Sequence, residues 1–260
     1  MSFFWDFLKE NNIDVWCICL KERDDRYKYI TNEFAKIGLL KYVTFYRPEK
    51  CKDGGRIGCF NSHKYCMIQS LNNNKHALVF EDDIIFENNW LKKTNYIKKF
   101  LYSNIQWDIL KLGSVINYIT HSTNISNIYK CKSLALHAII YNSSFIQNCI
   151  NDELFTPELY KLHIDEYFLY SNANEYNIIN SICYQNNLAS DNQWDDNFIF
   201  QKIWQSKYTV ILQKIQNTQK RICRFLPIYI QKNINIAHWI CLFIVKCVQI
   251  FNYLYKQIYK

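Results

Sequence analysis

The chain has 260 residues, 49% hydrophobic and 17% aromatic, enough for a sizeable core in one domain or in a domain with an appendage. Only 5 Gly and 3 Pro leave little room for long flexible linkers. The net charge of +8 is uneven: residues 197–260 hold 10 Lys or Arg and no acid, whereas residues 1–196 carry −2, which argues against a nucleic-acid surface on the body and for an anionic partner of the tail.

Residues 1–12 read as a short leading helix or arm. Residues 14–20 form an apolar run expected to be a strand buried on both faces, followed by the charged segment 21–26. Over residues 26–38, Tyr27, Ile30, Phe34 and Ile37 share one helical face, and Gly38 suits the C-terminal cap. A second strand is expected at 42–46. Strand, charged loop, helix, strand is the opening unit of a mostly parallel α/β sheet.

Three of the five glycines, Gly54, Gly55 and Gly58, fall within residues 53–59. That concentration predicts a backbone that bends sharply or lies close to a ligand. Residues 59–71 have helical spacing with Phe60, His63, Met67 and Leu71 on one face, so spacing alone makes His63 a core histidine.

The chain is organised around residues 76–88. Ala77, Leu78, Val79 and Phe80 form an apolar run that breaks into Glu81, Asp82 and Asp83. Three adjacent carboxylates beside apolar neighbours are costly unless a cation neutralises them. In open α/β sheets the ligand site lies outside the carboxyl ends of the strands. Alternation puts Glu81 and Asp83 on one side and Asp82 on the other, and the first two suit a hard divalent ion, Mn²⁺ or Mg²⁺, shared with substrate phosphates. A solvated charged turn is the plainer alternative.

Residues 90–102 read as a basic amphipathic helix and 107–113 as a strand ending in glycine. The polar stretch 114–133 is expected to be a surface loop. Residues 134–141 return to an apolar strand with His137 inside it, and Asn142 can cap a helix over about 144–151. Thr156 and Pro157 start another helical turn. His163, Asp165 and Glu166 precede an apolar stretch, 182–185 form a short late strand, and 186–196 are polar with Asp191 in the middle. From residue 197 the character changes: residues 234–258 fit a 100° wheel, interrupted by Lys246 and short of the ~20 apolar residues of a span. An interfacial helix and a helix packed on the body fit that wheel equally.

The 11 Cys are odd in number, with no Cys-x-x-Cys pair and no Cys/His cluster at zinc-ligand spacing. The N-terminus lacks the basic region and long apolar core of a signal peptide. These features predict a reducing, cytoplasmic setting with free thiols and, through the tail, a peripheral position on the cytoplasmic face of a membrane.

The order of these signals over about 14–192 resembles glycosyltransferase family 25, which includes lipopolysaccharide-type sugar transferases and collagen galactosyltransferases. Leu20, Lys21 and Arg23 to Arg26 resemble its opening block. Gly55-Arg56-Ile57-Gly58-Cys59 with Ser62-His63 resembles its most diagnostic segment, and Leu78 to Asp83 its acidic motif. The strand from Asp108 to Gly113, then His137-Ala138, Asp165, Gln185 and Ser190-Asp191 follow in order. The chain departs from the family at Cys19, usually Asn, and at Ala135-Leu136, often Gly-Thr.

The resemblance implies a GT-A-like α/β fold in residues 1–196, with a basic helical tail at 197–260. It also implies a nucleotide-sugar donor, a glycan or glycoprotein acceptor, and inversion at the anomeric carbon. On that reading Glu81 and Asp83 hold the divalent cation. Arg23, Arg26, Gly55, Gly58, Ser62, His63 and Asp82 surround the donor. Asp165, or next Glu166, takes the acceptor's proton, and His137, Gln185 and Asp191 lie on the acceptor side. A metal-dependent phosphoryl-transfer enzyme using the same acids, and an inactive membrane-associated scaffold on the same fold, are the alternatives.

Overall fold

The computed structural model describes residues 2–157, 164–178 and 181–186. Elements occur in the order α1 (Ser2–Glu10), β1 (Ile13–Ile18), α2 (Asp24–Lys36), β2 (Val43–Tyr46), α3 (Gly55–Asn72), β3 (His76–Glu81), β4 (Ile84–Phe86) and α4 (Trp90–Leu101). They continue with β5 (Ile109–Ser122), β6 (Ile128–Tyr141), α5 (Ser143–Asn151), α6 (Ile164–Tyr170), β7 (Glu175–Ile178) and β8 (Cys183–Gln185).

Six strands form one sheet in the order β2-β1-β3-β6-β5-β7. β1 is parallel to β2 and β3, and β7 is parallel to β5, while β6 runs antiparallel to β3, β5 and β7. The sheet is therefore mostly parallel, with β6 alone reversed.

Helices cover both faces, which explains the unbroken apolar runs of β1 and β3. Successive residues feed opposite cores. Val15, Cys17, Leu78 and Phe80 face the layer of α1, α2 and α4, packing with Trp5, Phe34 and Phe100. Ala77 and Val79 face the layer of α3, α5 and α6, packing with Phe60, Met67, Phe145 and Phe168. The leading helix is part of the core: Trp5 stacks on Trp90 at 5.2 Å between centroids and donates its indole N–H to the Ile37 carbonyl.

Local signals in the sequence meet their partners. Gly38 adopts φ 69°, its N–H donates to Ala35 O, and Leu39 N–H donates to Phe34 O. This is a Schellman ending, whose left-handed residue glycine supplies without strain. The Asn142 side chain accepts from Ser144 N and caps α5.

One expectation needs correction, and one strand was not anticipated. The stretch 114–133 is not a loop: β5 runs to Ser122 and β6 starts at Ile128, making one long bulged antiparallel hairpin. Its polar residues obscured strand pairing that the backbone supplies by itself. β7 was not foreseen, because Glu175 and Asn177 are polar yet fully buried. They pair with residues distant in sequence: Lys111 Nζ lies 3.3 Å from Glu175 Oε1 and donates to Ser133 O, and Asn177 Nδ2 donates to Ser133 Oγ.

One bulge of the hairpin falls at Gly113, where a Cβ would come within 2.4 Å of His137 Nε2 and 2.5 Å of the Cys183 carbonyl. A backbone carbonyl cannot swing away as a side-chain tip can. Gly113→Ala is therefore expected to destabilise the fold by about 1–3 kcal/mol, the usual cost of overpacking, read as a lower urea midpoint at unchanged slope.

Candidate active site

The site forms where β1 and β3 end. Glu81 is the last residue of β3, Asp82 and Asp83 make the turn that follows, and β4 leaves at a new angle to pair with β8. Ile84 is opposite Gln185 in that pair, so a residue about a hundred positions later arrives beside the acids. Gln185 Nε2 donates to Glu81 Oε2 at 3.3 Å and to Asp83 Oδ2 at 3.4 Å. The two carboxylates foreseen on one side thus converge on one amide. They do so through a turn, and not along an extended strand.

Asp82 points the other way, to Arg26 of α2, with Nη1 to Oδ1 at 2.6 Å. The same guanidinium nitrogen lies 3.7 Å from Asp83 Oδ2, and all three side chains are at most 10% exposed. Removing one partner of such a buried pair strands a charge, at a typical cost of about 3–5 kcal/mol. Arg26 accordingly holds the acidic turn in place, whatever else it binds.

The opposite wall is the start of α3. The bend is at Gly54, with φ 106°, while Gly55 and Gly58 lie within the first helical turn and not in a loop. The N-cap residue, Gly54, has no side chain to cap this N-terminus. A Cβ on Gly58 would meet Cys51 Cβ at 2.9 Å, so glycine there permits close packing of the 50–52 segment. Ser62 Oγ donates to the Gly58 carbonyl, which commits the hydroxyl to the helix.

His63 is fully buried, as its helical spacing foretold. Its Nδ1 is 2.9 Å from the Tyr141 hydroxyl, and its Nε2 lies 3.8 Å from Glu81 Oε1. Burial pushes the imidazole pKa down to about 4, so the ring is neutral at neutral pH.

These walls enclose a cavity of ≈ 120 Å³ lined by Arg26, Gly55, Gly58, Ser62, His63, Glu81, Asp82, Asp83 and Gln185. It is smaller than the roughly 300–1,000 Å³ of pockets that enclose a whole small-molecule ligand. Lys50, Cys51, Cys59, Ile18 and Leu20 complete the lining. Lys50 and Cys51 escaped the sequence reading; the one signal was their place just ahead of the glycine cluster.

Burial is the main reason that Glu81 and Asp83 are harder to ionise than ordinary carboxylic acids. Asp82 and then Asp165 add to the effect at Glu81, and Glu81 adds to it at Asp83, while Arg26 opposes it at both. A quarter of the Glu81 side chain stays open to the cavity, and water there tempers the rise. Asp83 Oδ1 is buried without a hydrogen bond. Two converging carboxylates, one with an unsatisfied oxygen, fit a hard divalent cation.

Asp165, on α6, accepts from the Ala135 N–H at 3.0 Å through Oδ2, and its charge is felt at Glu81, His63 and Cys59. Ala135 holds φ 68° at a position where the resembled family often has glycine. Asp165, Arg23 and His137 are not among the residues that line the cavity. Arg23 pairs with Asp25 at 2.8 Å beside the start of α2. His137 is buried within β6, close to Gly113. The Glu166 side chain, Asp191 and the tail 197–260 are outside the described residues.

A family model described as glycosyltransferase family 25 (LPS biosynthesis protein) matches residues 53–226. The chain belongs to glycosyltransferase family 25. The match begins at the glycine cluster, contains the acidic turn, and runs past residue 196, where the sequence suggested a boundary. No curated protein matches this family 25 chain. Among solved structures, one from Bacillus anthracis described as a glucose-1-phosphate thymidylyltransferase in complex with a sucrose has a TM-score of 0.39 and 17% identity, covering 68% of this chain and 71% of that one. The inositol-1-phosphate CTP transferase from T. maritima gives 0.36 and 10%, covering 78% and 79%.

Proposed function

We propose that this family 25 protein transfers a sugar from a nucleotide-sugar donor to a hydroxyl of a glycan or glycoprotein, with inversion and with a divalent cation, on a GT-A-like fold. The observation that carries this reading is the convergence of Glu81 and Asp83 at the end of β3, opposite the start of α3. Glu81 and Asp83 would hold Mn²⁺ or Mg²⁺, which would supply positive charge to offset that of a leaving diphosphate. The chain's own groups supply the remainder. The first turn of α3, with Gly55 and Gly58, brings backbone N–H groups and the positive end of the helix dipole to the phosphates. Lys50 at the cavity adds a cation, and Arg26 keeps the turn rigid through Asp82. Asp165 takes the proton of the attacking hydroxyl as its oxygen bonds to the anomeric carbon and the nucleoside diphosphate leaves.

The test is acceptor dependence. Release of nucleoside diphosphate from a panel of nucleotide sugars is expected only when metal and a sugar acceptor are both present, with the product's anomeric configuration inverted by NMR. Release without an acceptor would favour phosphoryl transfer, and no donor binding at all would favour an inactive scaffold.

Metal binding should also be visible without turnover. A carboxylate harder to ionise in the fold than in the unfolded chain costs stability once pH exceeds its ordinary range, and the cost grows toward neutrality. A cation that holds Glu81 and Asp83 ionised removes this cost. At ~100-fold over Kd, Mn²⁺ is expected to raise Tm by about 5–10 °C at pH 8, corresponding to roughly 2.7 kcal/mol, and by much less at pH 5.5. An equal shift at both pH values would place the ion elsewhere.

No helix among the described residues is long and apolar enough to cross a membrane. We assign residues 232–260 to an anionic membrane surface at the cytoplasmic face, because the tail is basic and its wheel has an apolar half. A chain ending at Gln231 keeps all of the family match. It is expected to stay folded and active on soluble acceptors while losing flotation with anionic liposomes, whereas the full chain binds them at low salt. Unfolding of the shortened chain would instead mean that the segment packs on the body.

A further inference from the structure

Glu81 has two oxygens, and they face different neighbours. Oε2 is the one bridged by Gln185 to Asp83, on the side assigned to the hard cation. Oε1 faces α3, where it lies 3.8 Å from His63 Nε2 and 4.0 Å from Cys59 Sγ. The sulfur, the ring nitrogen and the carboxylate oxygen all lie within 4.8 Å of one another. Cys59 and His63 are four residues apart on one helix, so their side chains stack on the same face. A mixed sulfur, nitrogen and oxygen trio of this size is unlike the neighbouring pair of carboxylates.

A second observation points to a ligand. His63 is 0% exposed, and its Nε2, which faces this trio, has no hydrogen-bond partner. Leaving a buried polar atom unsatisfied typically costs about 1–3 kcal/mol. In the tautomer with the proton on Nδ1, the ring donates to the Tyr141 hydroxyl and presents a lone pair at Nε2. An outer hydrogen bond of this kind orients a histidine that ligates a metal.

We propose that Cys59, His63 and Glu81 form a site for a thiophilic divalent cation of the Zn²⁺ class, distinct from the hard-ion position at Glu81 and Asp83. Tetrahedral coordination with Zn–S near ~2.3 Å and Zn–N near ~2.0 Å sets ligand atoms roughly 3.5 Å apart, so the two contacts to Glu81 must shorten by about 0.5 Å and the sulfur-to-nitrogen separation by at most about 1.3 Å. Cys59 and Glu81 are only partly buried and line the cavity, which provides entry and room for a water as fourth ligand. Binding releases the Cys59 thiol proton to solvent, and the thiolate charge offsets that of the ion. Thiolate and imidazole select Zn²⁺ over Mn²⁺ or Mg²⁺, which prefer oxygen. The absence of Cys-x-x-Cys argued against zinc in the sequence, but two ligands one helical turn apart need only a third from elsewhere, and β3 provides it.

The test uses the full chain, reduced and freed of metal, titrated with Co²⁺ as an optical stand-in. A near-ultraviolet thiolate-to-cobalt band is expected, discharged by one equivalent of Zn²⁺. It should vanish in Cys59→Ser and in His63→Gln. Circular dichroism verifies that each variant is folded; if His63→Gln is not, Cys59→Ser decides, since the serine preserves shape. The band should persist in Asp83→Asn, which removes only the hard-ion position. A band that survives in folded Cys59→Ser comes from another of the 11 Cys and overturns the site. So does the lack of any band. If the band is missing while Mn²⁺-dependent donor binding is intact, the thiophilic site alone fails. If the band behaves as expected while Mn²⁺ has no effect on donor binding, the hard-ion reading fails instead.

Discussion

Asp83→Asn is expected to abolish sugar transfer and metal-dependent donor binding while leaving the fold intact. Asp83 is 7% exposed, lies within 3.4 Å of the amide that also holds Glu81, and carries a buried oxygen with no hydrogen bond. An amide can accept from Gln185 as the carboxylate does, so packing is preserved. What is lost is a negative charge and a hard ligand. Removing a single preorganised electrostatic group typically costs about 10²–10³-fold in turnover, and loss of the cation's anchor should cost at least that. Stability should not fall, because a carboxylate that burial makes hard to ionise is itself a burden on the fold at neutral pH. The variant's urea midpoint without metal should equal or exceed that of the native chain. Full activity at unchanged metal concentration would remove Asp83 from the reaction.

The second large effect is expected from Asp165→Asn. Its geometry allows a clean substitution. Oδ2 accepts from Ala135 N, and the asparagine oxygen can do the same, so the strained residue at φ 68° keeps its support. The variant loses proton-accepting capacity without losing that link. Turnover should fall ~10²–10⁴-fold with donor affinity nearly unchanged, since a general base acts on the acceptor in the transition state. Asp165→Ala would remove both functions, so the difference between the two variants measures the structural share. A loss confined to donor affinity would put Asp165 on the nucleotide side of the cavity, which its influence on Glu81 and His63 makes a real contrast to exclude.

How far this site was legible follows from which signals are local. Gly38, Asn142 and the apolar runs of β1 and β3 act through near neighbours or through burial on both faces, and each was readable in the chain. The acids at the end of β3 were readable as a candidate site because adjacent carboxylates beside an apolar strand are costly unless neutralised. The geometry that joins them was not, since Gln185 reaches them only through the pairing of β4 with β8. The hairpin of β5 and β6 was hidden by its polar residues, and β7 by Glu175, whose partner Lys111 lies far back in the chain. His63 shows both sides. Helical spacing gave its burial, but only the fold shows that Nε2 faces Glu81 and Cys59. His137 was drawn toward the site by motif order, and in the fold it is buried beside Gly113 and outside the cavity lining.

Calorimetric titration of the full chain with nucleotide sugars, in Mn²⁺ and then in excess EDTA, tests the central assignment most directly. The account predicts one donor with saturable binding in Mn²⁺, loss of that binding in EDTA, and loss of it in Asp83→Asn even with Mn²⁺ present. Donor binding of equal strength in EDTA, or in folded Asp83→Asn, would contradict it.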